Sequence, residues 1–144
     1  MLYLKRKIDA FLSEWKANPD KKPLIVKGPR QVGKTESIQR FAAENYTSVI
    51  TINFVEEPKY KMITADGYKA ADIIKNISRI DPSKRFIEGE TLIFFDELQE
   101  FPDIATALKF FKIDGRFDVI CSGSMLGLNY RKIESNSVGY KTDY

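Results

Sequence analysis

The sequence predicts an α/β fold, a three-layer α/β/α sandwich in which helices cover both faces of a mostly parallel sheet. Two observations favour this class. Short segments rich in β-branched and aromatic residues alternate along the chain with segments whose apolar residues recur at helical spacing. One such segment, Leu92 to Phe95, is apolar at every position, which is typical of a strand buried on both faces of a parallel sheet. Strands that alternate with helices imply crossover connections between parallel strands.

Each element is predicted from its apolar periodicity and from the residues that stop it. The first helix, within residues 1–17, carries apolar residues at helical spacing and is stopped by Asn18-Pro19-Asp20. The further elements are a strand at 23–27, a helix at about 34–45, a strand at 48–54, a helix at about 67–78, a strand at 91–95, a helix from about 102 to the Asp114-Gly115 turn, and a strand at 117–121.

The domain prediction is a single module across residues 1–144, with its core at 23–128. Residues 129–144 form a polar tail without an amphipathic helical face, although alternation from residue 138 onward could be the start of a fifth strand. The sandwich is therefore expected to be truncated before or within the fifth strand. Without that strand the first strand would be a bare sheet edge, so a fragment that does not fold stably is one alternative.

The composition is that of an ordinary globular domain, and it argues against several classes of protein. Of the 144 residues, 43% are apolar and 30% are charged. With 23 basic and 20 acidic residues interspersed, the net charge of +3 does not indicate nucleic acid or a membrane as an obligatory partner. A single cysteine, Cys121, excludes an intramolecular disulfide, and no apolar window is as long as a membrane span. A cytoplasmic location is therefore expected.

The segment between the first strand and the second helix carries the most specific motif. Residues 28–35 match G-x-x-x-x-G-K-[ST], the phosphate-binding loop of P-loop nucleoside triphosphatases, between the strand and the helix that this motif requires. Glycines let backbone N–H groups surround a phosphate, Lys34 would lie beside the β- and γ-phosphates, and Thr35 offers a hydroxyl to Mg²⁺. Arg30 could approach phosphate or pair with a neighbouring acid. The predicted nucleotide-binding residues are Gly28, Pro29, Arg30, Gln31, Val32, Gly33, Lys34, Thr35 and Glu36.

Two acids, Asp96 and Glu97, directly follow the apolar third strand. Both carboxylates would emerge at the carboxyl end of the sheet, the edge at which ligands bind in open α/β folds. Four apolar residues followed by Asp-Glu form the Walker B pattern of ATPases that activate water with an acid beside the metal-binding one. Asp96 is predicted to hold the Mg²⁺ shell through water, and Glu97 to orient or deprotonate the attacking water. Gln99 could cap the next segment or assist with the water.

The fourth strand ends in Ser122-Gly123-Ser124. In ATPases of this kind a polar residue at this end, between the phosphate loop and the acidic pair, senses the γ-phosphate and positions the attacking water, so Ser122 or Ser124 is the candidate. An ordinary Ser-Gly turn is the alternative. The predicted catalytic residues are Lys34, Glu97, Ser122 and Ser124, and the predicted metal-binding residues are Thr35 and Asp96.

Three segments together resemble one prokaryotic family, the AAA-type P-loop ATPases whose phosphate loop reads GPRQ-x-GKT and whose third-strand acids read DE-x-Q. The segments are residues 28–35, Phe95-Asp96-Glu97-Leu98-Gln99 and Ser122-Gly123-Ser124-Met125-Leu126, in the order and spacing of that family. The resemblance implies an AAA-like P-loop NTPase fold. It also implies phosphate binding by Gly28, Gly33, Lys34 and Thr35, with Asp96 as the metal acid and Glu97 as the catalytic acid.

The resemblance further implies a C-terminal domain with a nuclease-like fold, so this chain would be only the N-terminal ATPase part of a longer protein. Relatives often have Ala-Gly-Arg after the sensing strand, whereas this chain has Ser137-Val138-Gly139-Tyr140. No arginine finger can therefore be carried over from the family.

The predicted function is ATP binding and Mg²⁺-dependent ATP hydrolysis, with slow turnover because no arginine finger is identifiable. One alternative is a nucleotide-dependent switch that performs little catalysis, and another is a P-loop kinase, although neither an acceptor pocket nor a basic lid is visible. A GTPase is disfavoured because no Asn-Lys-x-Asp segment is present. The sequence leaves a homo-oligomer open.

Overall fold

Strands and helices alternate along the chain as the apolar periodicity predicts. The computed structural model describes residues 7–28, 32–124, 130–137, 139 and 141–144. The helices are α1 (Lys7–Ala17), α2 (Val32–Asn45), α3 (Ala70–Ile80), α4 (Asp103–Asp114) and α5 (Tyr130–Ser137). The strands are β1 (Leu24–Lys27), β2 (Ser48–Asn53), β3 (Thr91–Asp96), β4 (Asp118–Gly123) and β5 (Thr142–Asp143). Two 3₁₀ turns, Pro58–Met62 and Leu98–Glu100, follow β2 and β3.

The strands form one parallel sheet in the order β2-β3-β4-β1-β5. Strand β3 lies inside this sheet, and all six of its residues are buried. Its apolar run is therefore covered by a helical layer on each face, as a parallel sheet requires. The predicted α/β/α sandwich with a mostly parallel sheet is confirmed.

Alternate residues of each strand point to opposite layers, and this divides the core into two clusters. On one face α1 and α2 pack on the sheet through Leu12, Trp15, Ile38 and Phe41. On the other face α3 and α4 supply most of the helical contacts. The strand residues beneath that second layer are Ile25, Ile50, Ile52, Ile93, Phe95, Val119 and Cys121.

The tail contains a helix that the polar composition did not predict, so the expectation of no helical face after residue 129 is wrong. Helix α5 buries Ile133 and Ser137, which lie one turn apart. Among the side chains of α5 that the structure describes, this buried stripe has two residues, one of them a serine, and it is too short to register as amphipathic periodicity. Nζ of Lys132 lies 3.0 Å from Oδ1 of Asp103, an ion pair that joins α5 to α4.

The start of a fifth strand, which the tail alternation suggested, is present as β5. Leu24 pairs with Thr142 and Ile25 with Asp143. The amide of Lys27 also donates to the carbonyl of Tyr144 at 3.0 Å. Strand β1 is therefore not a bare edge, and the premise of the unstable-fragment alternative is wrong.

The described part of α1 begins at Lys7, and residues 1–6 of the predicted helix lie outside the described residues. Among the helices that the structure describes, none combines the length and the apolar character that crossing a bilayer would need.

A network of four charged side chains ties β1 to α5 and β5. Nζ of Lys27 lies 2.7 Å from Oε1 of Glu134, and Nζ of Lys141 lies 2.9 Å from Oε2 of Glu134. Asp143 completes the network, 2.8 Å from Nζ of Lys141. Burial opposes ionisation of Glu134, but hydrogen bonds and charges from Lys27 and Lys141 outweigh it and lower the pKa of Glu134.

We expect Glu134→Gln to lower the free energy of unfolding by about 0.5–1 kcal/mol at neutral pH, since these ion pairs are partly exposed and screened by solvent. A carboxyl whose pKa is lower in the folded state stabilises the fold fully at pH values above its unfolded-state pKa. That stabilisation is lost as the pH falls through its folded-state pKa. The measurement is urea unfolding of both proteins between neutral pH and about pH 4. The difference in free energy of unfolding between Glu134→Gln and the wild type should narrow as the pH falls below 4.5, the ordinary pKa of glutamate.

Glu44→Gln on the exposed side of α2 serves as the control and should differ little from the wild type at either pH. A Glu134→Gln difference that stays constant over this pH range would contradict the role of the network.

Candidate functional site

The connection from β1 to α2 places the phosphate-loop residues at the carboxyl edge of the sheet. Gly28 follows β1 directly and has a φ of +148°, a backbone conformation that residues other than glycine rarely adopt. Helix α2 begins at Val32, so Lys34 and Thr35 lie in its first turn. Pro29, Arg30 and Gln31 lie outside the described residues, as does the side chain of Val32.

Lys34 reaches across the sheet edge to the end of β4. Its Nζ donates a hydrogen bond to the carbonyl of Gly123 at 3.3 Å. Burial lowers the pKa of Lys34, although the charges of Asp96 and Glu97 oppose that shift. A phosphate beside this amine would favour its charged form, because an opposite charge nearby stabilises an ammonium.

Asp96, the last residue of β3, is the most deeply buried acid of the site, with 6% of its surface exposed. Its Oδ1 accepts the backbone N–H of Glu97 at 2.9 Å. Its Oδ2 lies 3.5 Å from both the Thr35 hydroxyl and the Asn53 side-chain amide, at the outer limit of hydrogen bonding. Burial raises the pKa of Asp96. The hydrogen bond from the Glu97 N–H and the charge of Lys34 lower that pKa again, but they offset the rise only in part.

Glu97 has a backbone conformation that is uncommon for a residue with a side chain. Its φ of 61° and ψ of 48° lie in the left-handed region, and they turn the chain from β3 into the following 3₁₀ turn. Residues held in such conformations cluster at functional sites. Glu97 is 8% exposed, and its Oε2 accepts a hydrogen bond from Nε2 of Gln99 at 2.5 Å.

The two candidate serines of β4 differ in their surroundings. Ser122 is paired in register with Asp96 on one side and with Val26 on the other. It lies two residues after Ile120, so its side chain faces the α1 and α2 layer, and it is fully buried. Its Oγ has no hydrogen-bond partner among the residues that the structure describes. Ser124 lies beyond the end of the strand, and its backbone N–H donates to Oε1 of Gln99 at 3.1 Å.

The structure thus brings together the residues predicted to be catalytic or metal-binding, namely Lys34, Thr35, Asp96, Glu97, Ser122 and Ser124. Glu36 is exposed on α2, and the segment 29–31 lies outside the described part of the chain. The sequence reading missed Asn53, which ends β2 and pairs in register with Asp96. The signal was available, because Asn53 is a polar residue at the carboxyl end of a predicted strand.

The oxygen atoms of Thr35 and Asp96 form a donor set that suits Mg²⁺ rather than a softer metal. Mg²⁺ in nucleotide sites is held by one or two protein oxygens, by phosphate oxygens and by water. No group of three or more acidic, histidine or cysteine side chains that could hold a metal without a nucleotide occurs within the described residues. A hydroxyl and a carboxylate at the phosphate loop fit a metal that arrives with its nucleotide.

The fold and this site define a P-loop nucleotide-binding protein of the ATPase type. Comparison with protein families defines the class of protein more closely. A family described as an AAA domain matches residues 20–144. The chain belongs to this AAA family and is an AAA-type nucleotide-binding module. The recognition of an AAA-type ATPase from its three motifs is confirmed. A search of curated proteins finds no match.

Solved structures with a similar fold include PCH-2 of C. elegans, with a TM-score of 0.53 and 11% identity over 95% of this chain. A structure of Drosophila ORC bound to DNA has a TM-score of 0.54 and 13% identity over 94% of this chain. A structure of Drosophila ORC bound to GC-rich DNA and Cdc6 has a TM-score of 0.53 and 12% identity over 94% of this chain. This chain spans 41%, 86% and 53% of those three chains, respectively. At such low identity the likeness shows the shared fold.

We expect Ser122→Ala to raise the free energy of unfolding of the nucleotide-free protein by about 1 kcal/mol, because it removes a buried hydroxyl for which the described residues supply no hydrogen-bond partner. Ser137→Ala is the matched control, since that buried hydroxyl donates to the carbonyl of Ile133 at 2.5 Å. Urea unfolding of both variants tests the contrast. A lower free energy of unfolding in Ser122→Ala than in the wild type would show that the wild-type Ser122 hydroxyl already has a hydrogen-bond partner.

Proposed function

We propose that this chain binds ATP together with Mg²⁺ and hydrolyses it to ADP and phosphate. The observation that supports the proposal most strongly is the meeting of two deeply buried acids, Asp96 and Glu97, with Lys34 and Thr35 of the phosphate loop. Lys34 and Thr35 come from one helix, and the acids from the end of a strand about sixty residues further on. Such an arrangement suits a polyanion with its divalent cation.

In this proposal each side chain has a separate task. The backbone N–H groups at the start of α2 and the amine of Lys34 bind the phosphates and stabilise the negative charge that develops on them. The oxygens of Thr35 and Asp96 would hold Mg²⁺, Asp96 through water. When bound, this ion would neutralise part of the negative charge on the phosphates.

Glu97 is the proposed group that orients or deprotonates the attacking water. Its carboxylate is largely buried and is held by Gln99, so its position is defined before a nucleotide arrives. Ser122 is the favoured sensor of the γ-phosphate, because its buried hydroxyl has no partner among the described residues. The additional C-terminal domain stays a prediction from the family resemblance, and the oligomeric state stays open.

We expect Glu97→Gln to bind ATP with a Kd within about twofold of the wild type and to release phosphate about 10²- to 10⁴-fold more slowly, because the amide cannot accept a proton from water. Calorimetry gives the affinity, and steady-state phosphate release gives the rate. The control is Glu100→Gln, an exposed acid of the same 3₁₀ turn.

Equal phosphate release by Glu97→Gln and the wild type would remove Glu97 from the mechanism. That result would favour the rival function, a nucleotide-dependent switch with little catalysis.

We expect Asp96→Asn to raise the Mg²⁺ concentration needed for half-maximal phosphate release by about tenfold or more, because the amide is a weaker ligand for the hydration shell of the ion. Asp20→Asn, at the opposite edge of the sheet, is the control. The measurement is phosphate release across a Mg²⁺ titration at saturating ATP. A curve that overlays the wild type would exclude Asp96 as the metal acid.

A further inference from the structure

We propose that Gln99 is a positioning residue that couples the phosphate-binding Lys34 to the carboxylate of Glu97 through the single peptide group that joins Gly123 to Ser124. The inference rests on the proposed function, because it assigns to Glu97 the role given above. It adds a physical connection between occupancy of the phosphate site and placement of the group that acts on water.

The connection is a chain of three hydrogen bonds. Nζ of Lys34 donates to the Gly123 carbonyl at 3.3 Å, on one side of the peptide group. The N–H on the other side of that same peptide group, which belongs to Ser124, donates to Oε1 of Gln99 at 3.1 Å. Nε2 of Gln99 then donates to Oε2 of Glu97 at 2.5 Å. Because bonds in a chain polarise one another, a change at one end is felt at the other.

The middle position needs a side chain that accepts at one end and donates at the other. A carboxamide does this within one planar group, whereas a carboxylate only accepts and an ammonium only donates. The two neighbours of Gln99 also define the orientation of its amide. A backbone N–H must face the oxygen, and the carboxylate of Glu97 must face the nitrogen.

Gly123 provides the room that this arrangement needs. A Cβ at position 123 would lie 2.5 Å from Oε1 of Gln99 and 3.0 Å from the backbone nitrogen of Leu98. Contacts that short would force the Gln99 side chain away from the peptide group. Glycine in the last position of β4 is therefore required by the close approach of Gln99.

Phosphate binding would change the first of these three hydrogen bonds, the one from Lys34 to the Gly123 carbonyl. A triphosphate in the loop competes with the Gly123 carbonyl for the amine of Lys34, because an ionised phosphate oxygen is the stronger acceptor. That competition removes the hydrogen bond from Lys34 to the peptide group between Gly123 and Ser124. The change in hydrogen bonding at this peptide group then acts on the amide of Gln99 and, through that amide, on the carboxylate of Glu97.

The coupling is tested by NMR, without any need for turnover. In Lys34→Ala we expect the Ser124 backbone amide and the side-chain amide of Gln99 both to shift, while the side-chain amide of Asn76 on the opposite layer stays in place. Lys61→Ala, an exposed lysine, is the control and should move none of them. Unchanged Gln99 signals in Lys34→Ala would overturn the coupling.

The positioning role is tested by a double-mutant cycle in steady-state phosphate release. Gln99→Ala should lower kcat about 10- to 100-fold, the usual cost of removing a group that orients a functional side chain, while KM and ATP affinity stay within about twofold. In a Glu97→Gln background the same substitution should have no further effect, because Gln99 acts through Glu97. Gln39→Ala on the exposed side of α2 is the control.

Equal kcat losses from Gln99→Ala in both backgrounds would overturn the positioning role, and so would an unchanged or raised kcat in the single variant. Failure of the proposed function is a separate result, because then Glu97→Gln itself would leave phosphate release unchanged. In that case the NMR comparison still decides whether Lys34 and Gln99 are coupled.

Discussion

The burial of the Asp96 carboxylate at the end of an otherwise apolar strand is the constraint on which the site depends. Removing a carboxylate from water is costly unless donors or a cation compensate, and here the compensation is incomplete. The Glu97 N–H is close, but Thr35 and Asn53 lie at the outer limit of hydrogen bonding. The edge of the sheet therefore holds a group whose charged form would be stabilised by a bound cation.

The sheet makes such an edge possible because the rest of it is packed on both faces. Strands β3 and β4 bury apolar side chains toward both helical layers, and β5 covers the far side of β1. At the opposite edge, Nε1 of Trp15 donates to the carbonyl of Lys22 at 2.8 Å, so a buried polar group there is satisfied within the protein. At the carboxyl edge, by contrast, the buried Ser122 hydroxyl has no hydrogen-bond partner within the described part of the chain, and stability is commonly given up for function at such sites.

Much of this could be predicted from the sequence, because the informative signals are local. The apolar run before Asp96 indicates a buried strand, and the spacing of Gly28, Gly33 and Lys34 indicates a phosphate loop. The rest depends on tertiary contacts. Helix α5 contacts α4, and Ile133 is the buried apolar residue among its described side chains. Likewise, the hydrogen bonds from Gln99 to Glu97 and from Ser124 to Gln99 become visible only when β4 and the turn after β3 are brought side by side.

Calorimetric titration of ATP, with and without Mg²⁺, into the wild type and Lys34→Ala tests the central claim most directly. If this edge binds a triphosphate with its cation, the wild type should bind ATP more tightly with Mg²⁺ present. Lys34→Ala should lose about tenfold or more in affinity, because it removes a charge-assisted hydrogen bond. Lys61→Ala should retain the affinity of the wild type. Equal ATP affinity in the wild type and Lys34→Ala would contradict the account.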